Sequence, residues 1–417
     1  MPDPILMRQG SLGVMIATAL AALSFAMLRR GSHAHSVREK LPPDLQSWRA
    51  LDGEEGIDAI TWGNLRELFK ARGYTFWSPR RDSLMVLPTD TDIASNGFGY
   101  APLLRGMDER SPLSNLYSFS YPHPSCQAAQ AADGRSVVIR VLAIGKVGRR
   151  HIDILKIAGR GPYSLVTWNH TIPLLDLIDF EDITFGVFPK VGDTLVAAYD
   201  GWAENSLGDV LDMILQCLEV SIQLSRSFSM LRLTRREGTG FRAWHAHCAP
   251  GTSSSIQEDF ELTPACQDAF KDNFLVQWQP ESLKARAYPV SRPRVYLNDF
   301  ETAVMFGQDV PIEDCVCTGL PHGPSFPGPE KYRRPVPPEV ESGKPYNPFK
   351  LDVWQFAMSL RDFKSNIPEV DNTLELLRNP DPLLRISAYE AMATIANVVA
   401  MIPPYALAVP PIVLSDV

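Results

Sequence analysis

The chain is poor in the features that would narrow its function at once. Its 417 residues include only six cysteines, at 126, 217, 248, 266, 315 and 317. The nearest pair, Cys315-Val316-Cys317, is C-x-C with no second pair to match it, which argues against a structural zinc site and for reduced intracellular thiols. His245-Ala246-His247-Cys248 has metal-like side chains but lies in an aperiodic stretch, so it is no better a zinc site. No basic block breaks a net charge of −8, and a nucleic-acid partner is therefore not expected. No internal repeat is visible, which removes solenoids and propellers. Glycine-rich signatures are reduced to a lone G-x-G, Gly97-Phe98-Gly99.

What is present begins with apolar content. At 45% hydrophobic residues, the chain can bury a sizeable core in one large domain with extensions, or in two ordinary ones. Residues 11–28, SLGVMIATALAALSFAML, carry no charge and are followed by Arg29 and Arg30. As a helix they would extend about 27 Å, the length of a single membrane span with the remaining chain on the cytosolic side. A cleaved targeting peptide and a buried helix are the alternative readings.

Along the chain, 47–80 reads as helix then turn. Ser136–Ile144 reads as a buried strand, Arg150–Ala158 as an amphipathic helix, and Phe180–Lys190 as a strand running into a turn. Ser206–Glu219 is a helix with Leu207, Val210, Leu211, Ile214, Leu215 and Leu218 on one face. Residues 220–265 are polar and aperiodic and read as an irregular insertion. Two short strands follow, FLVQW and RVYLN. A proline-rich stretch at 302–348 reads as irregular, Lys350–Leu360 as a buried helix, and Asp381–Val399 as a closing helical segment. Strands thus come first and helices second, an α+β order.

Two motifs carry chemistry. Asp268-Ala-Phe-Lys-Asp-Asn273 spells D-x-x-x-x-N, and Asp299-Phe300-Glu301 follows after an apolar run. Together they resemble the catalytic loop and metal-binding triplet of protein kinases. Val138-Ile139-Arg140 resembles the kinase strand that ends in a phosphate-pairing lysine. Phe185-Gly-Val-Phe188-Pro189 resembles the hinge that meets adenine, and Gly97 and Gly99 resemble a remnant of the phosphate-covering loop. Pro338-Glu339, Asp352-Val-Trp-Gln-Phe356 and Asp381-Pro382 with Arg385 resemble structural landmarks of the helical half. The stretch from about 94 to 400 is similar to the diverged protein kinase-like family of mushroom-forming fungi, in which V-I-R, D-A-F-x-D-N-F-L-V-Q-W and D-F-E tend to occur together.

The resemblance implies a two-lobed protein kinase-like fold. Its strand-rich lobe would cover about 94–190 and its helical lobe 191–400, with 220–265 inserted. Residues 1–44 and 45–93 would precede it as an apolar segment with linker and an extension, and 401–417 would follow as a tail. It implies Asp268 as base, Lys271 beside the phosphate, Asn273 and Asp299 as magnesium ligands, and Arg140, Gly97, Gly99 and Phe188 around ATP. It also implies that Asp352 braces the catalytic loop and that Glu339 pairs with Arg385. The partner would be a protein accepting phosphate on a hydroxyl, or one held by a pseudokinase scaffold. Three departures weigh on the choice. Cys266-Gln267 replaces His-Arg, Glu301 replaces the glycine after Asp-Phe, and His151 stands where the helix should offer a glutamate to Arg140.

Overall fold

A computed structural model of the chain describes residues 34–50, 57–79, 85–86, 118–119, 124–160, 164, 167–201, 203–226, 262–278, 292–307, 309–326, 328 and 332–415. Gly97, Gly99 and the apolar run 11–28 lie outside them. Among the described residues no helix is long and apolar enough to cross a membrane.

The first half is built on an antiparallel sheet of five strands: β1 (Tyr74–Phe76), β2 (Cys126–Ala131), β3 (Ser136–Ile144), β4 (Asp176–Phe180) and β5 (Ile183–Pro189), in the spatial order β1-β2-β3-β5-β4. β3 is the β-branched run SVVIRVLAI, which suits a strand buried on both faces. The strand expected over 180–190 is present as β5; before it runs a further strand, β4, because Glu181 takes a left-handed φ of 51° and turns the chain between the two. That conformation is uncommon for a residue with a side chain.

Two helices, α1 (Leu45–Arg49) and α2 (Ile57–Ala71), supply much of this half's core. Trp48, Trp62, Phe69, Phe76 and Phe185 are all buried, with ring centroids 5.1 to 6.3 Å apart. Such pairs add about 0.5–1.5 kcal/mol each beyond the burial of their area. The core of the sheet thus draws on residues well before 94. Helix α3 (Arg149–Ala158) follows β3 and buries Ile152, Ile154 and Leu155.

The second half is helical around a small three-stranded sheet. Its central helix, α4 (Leu207–Arg226), buries Val210, Leu211, Met213, Ile214, Cys217 and Leu218. The expected irregularity from 220 is corrected here: the helix runs on to Arg226, and Gln223 at its end bonds Asn169. The other end of that segment is also ordered, as strand β7 (Leu262–Ala265). The small sheet joins β6 (Asp193–Thr194), β8 (Phe274–Gln277) and β9 (Arg294–Leu297), while β7 pairs with β10 (Val304–Gly307). Around them pack α5 (Pro348–Ser359), α6 (Pro368–Leu377) and α7 (Ala388–Ala400). The stretch 302–348, expected to be irregular, contains β10, a bridge between Cys317 and Tyr346 and a helical turn at Pro338–Glu341.

The fold is therefore mixed α+β, with a sheet-centred half followed by a helix-centred one. Arg385, only 1% exposed, donates to Glu339 Oε1 at 2.7 Å and to the carbonyls of Lys350 and Asn379, so the expected pair is formed.

Candidate functional site

The pairing of β8 with β9 brings the two motifs together. Phe274 lies opposite Leu297, so the residue before β8, Asn273, meets the residue after β9. The Asn298 N–H donates to the Asn273 carbonyl at 3.1 Å. Two further bonds fasten the triplet to the loop's start: Cys266 Sγ to the Asp299 carbonyl at 3.4 Å and Thr302 Oγ1 to the Cys266 carbonyl at 2.9 Å.

The loop is braced from below by α5. Asp352, 2% exposed, accepts the N–H groups of Cys266 and Gln267 at 2.9 and 2.6 Å. Gln267 adopts a left-handed φ of 61°, and these bonds hold it there. Burial pushes the Asp352 carboxyl up to about 7, against the pull of the two N–H donors. Gln355 accepts from the Ala269 N–H and donates to the Gln267 carbonyl.

Asp268 is itself buried. Asn273 Nδ2 donates at 2.8 Å to both its carbonyl and its Oδ2. Oδ1 accepts no hydrogen bond, and Arg334 Nε stands 3.4 Å away as an ion-pair partner. Burial raises the Asp268 carboxyl to about 6; Arg334 opposes the rise and Asp299 adds to it.

Asp299 is held differently. Arg140 Nη2 donates to its Oδ2 at 3.1 Å, and the Glu301 N–H donates to its Oδ1 at 3.0 Å. Burial works against its charge, but the Arg140 guanidinium beside it overcomes this and lowers it to about 2. Glu301 is 3.7 Å from Arg140 and 3.8 Å from Arg49, and its Oε1 accepts the Ser325 N–H at 2.6 Å. The carboxylates that meet Arg140 therefore both come from the triplet, Asp299 and Glu301. His151 lies buried beside Phe300, and burial followed by Arg140 lowers it to about 3, so it is neutral.

The remaining sequence-derived residues divide. Lys271 turns away from Asp268's partners: its ammonium bonds Tyr199 at 2.7 Å and Asp362 at 2.5 Å. Phe188 is buried in the large core, one residue past the last β4–β5 pairing at Asp176 and Val187. Sequence reasoning passed over Arg334, Arg49 and Ser325. No local pattern marks them: none falls in a motif, and their partners lie 62, 252 and 24 positions away in turn.

The oxygen donors suit magnesium. Asn273 spends its nitrogen on Asp268 and keeps its amide oxygen; each Asp299 oxygen accepts one bond and retains a lone pair. Two protein ligands, completed by water and phosphate oxygens, are what magnesium usually takes from a protein. Among the described residues, no group of three or more His, Cys, Asp or Glu has the arrangement of a metal cluster. In comparisons with known proteins, no family model and no curated protein matches this chain.

Proposed function

We propose that this chain is a protein kinase-like protein that moves the terminal phosphoryl group of ATP to a protein hydroxyl. The observation that carries the reading is Asp268 Oδ1: a buried carboxylate oxygen without a hydrogen bond, on a loop braced by Asp352 and joined to Asp299 through Asn273. A carboxyl poised at about 6 is largely ionised at neutral pH and can take a proton from an incoming hydroxyl. Asn273 and Asp299 would hold the magnesium ion, and Arg140 would face the phosphates from β3. The ion would offset charge on the phosphate oxygens. Asn273 orients the base through its two bonds, and Glu301 aligns the Arg140 guanidinium.

A pseudokinase scaffold is the second reading, and one observation favours it. Arg140 already neutralises Asp299 and is shared with Glu301, so the cation that should meet phosphate is engaged within the protein. A thermal melt with and without millimolar ATP and magnesium separates the two. A shift of several degrees, with phosphate transferred to a protein acceptor, supports the enzyme; a shift without transfer supports the scaffold. No shift removes nucleotide from the account. Asp268→Asn should lower transfer by about 10²–10⁴, and unchanged turnover would point to another base.

A further inference from the structure

A small cavity of about 20 Å³ lies where helix α1, strand β3, helix α3 and the triplet meet. Its walls include Trp48 of α1, Arg140 of β3, His151 of α3, Glu301 of the triplet, and Ser325. Two of these residues carry a buried nitrogen without a hydrogen bond. They are Trp48 Nε1, on a residue 0% exposed, and His151 Nε2, on a residue 3% exposed. Buried polar groups are seldom left so, because they have given up water for nothing in return. The neighbouring Trp62 follows the rule: its Nε1 donates to the Pro124 carbonyl at 2.8 Å. The other wall groups are already committed. Glu301 accepts the Ser325 N–H at 2.6 Å, Arg140 donates to Asp299 at 3.1 Å, and the Ser325 hydroxyl accepts from Arg49 at 2.6 Å. Gln46, donating to the Phe326 carbonyl at 3.1 Å, holds α1 in place.

The two nitrogens define what the cavity can take. An indole N–H only donates, whereas an imidazole nitrogen donates or accepts according to its tautomer. A ligand serving both must accept from Trp48 and do either toward His151. Water does so in both tautomers. A cation is turned away by the indole N–H and by Arg140, and an anion by Glu301. A buried water needs about 10–15 Å³ and two to four polar partners, so the space suits one molecule. We propose that this cavity is a binding site for a single water, which accepts from Trp48 Nε1–H and joins it to His151 Nε2. The bridge fastens helix α1 of the extension to helix α3 beside Arg140. It does not depend on phosphoryl transfer and stands in an enzyme or a scaffold alike.

The test uses the full chain, isotope-labelled at its tryptophan indoles, and reads magnetisation transfer between each indole proton and water by NMR. The Trp48 signal is the one missing from Trp48→Phe. It should show a cross-peak to water with the sign of a long-lived, immobilised molecule. His151→Leu fills similar space but offers no partner to the water, and the cross-peak should be lost. His151→Gln keeps a polar group at the same place, and the cross-peak should remain. The melting curve of each variant shows that it is folded. No water cross-peak at Trp48 in the parent chain overturns the site, and that measurement needs no variant at position 151. An equally strong cross-peak in His151→Leu overturns the bridge to His151. Loss in His151→Gln as well as in His151→Leu traces the effect to packing and overturns the bridge too.

Discussion

Glu301 stands 3.7 Å from Arg140 and shares its guanidinium with Asp299, which lies at 3.1 Å. A guanidinium that is 15% exposed needs carboxylates, and here they come from Asp299 at 3.1 Å and Glu301 rather than from the helix. A double-mutant cycle between Arg140→Gln and Glu301→Gln should give a coupling energy of about 1–2 kcal/mol in denaturant melts. The same cycle with Asp153→Asn, an exposed acid on α3, should give none. Coupling to Asp153 would restore the helix as the partner.

Asp352 gives stability a pH dependence. Its folded-state carboxyl titrates at about 7 against an ordinary 3.8 because burial outweighs its two N–H donors. Between those values the folded protein binds a proton that the unfolded chain does not, so this group's contribution to stability falls as pH rises from 4 to 7. Asp352→Asn removes the titration. The loss of stability between pH 4.5 and 7.5, followed by urea melts, should be smaller in the variant than in the parent. An equal loss in both would show that Asp352 is ionised throughout.

Arg385 presents the opposite situation, a buried charge fully committed to its partners. Removing it strands Glu339, whose Oε2 already lacks a hydrogen bond. Arg385→Ala should cost about 3–5 kcal/mol, whereas Arg378→Ala, which breaks a more exposed pair with Glu375, should cost about 1 kcal/mol or less. Comparable effects would mean that the Glu339 pair is not tightly enclosed.

Cys217 and Cys266 are fully buried, and burial raises both thiols well above the usual range. Neither should react with iodoacetamide at pH 8 in the folded protein, and both should label once urea unfolds it. Cys266 labelling while the fold is intact would reveal opening of the loop that begins there.

Legibility in the sequence followed whether a residue falls in a motif, not the range of its interaction. Asp352 and the Glu339–Arg385 pair were readable in advance because their stretches resemble known landmarks, although their bonds span 85 to 86 and 46 positions. The α+β order was readable from the β-branched run at 136–144 and the apolar stripe of 207–218. The hairpin at 176–189 was hidden because Glu181, with no turn-forming signature, adopts the left-handed bend. The end of α4 was hidden because Ser221, Gln223 and Ser225 look like loop, though Gln223 serves a hydrogen bond. Arg334 and Arg49 had no local signal at all, since neither falls in a motif and their partners lie 62 and more than 200 positions away. The aromatic core around Trp48 and Trp62 was missed because helix α1 is only five residues long.

That short helix has a practical consequence for anyone shortening the chain. Trp48 is enclosed beneath the sheet, and Arg49 reaches across to Ser325 at 2.6 Å and lies over the Phe326 ring. A version beginning at residue 94, where the kinase-like resemblance starts, would lose a wall of its aromatic core along with one of the cations at Glu301. Such a trimmed protein would report on a damaged site, so the first useful boundary lies upstream of Arg38, whose guanidinium ties the entry of the chain to Asp182.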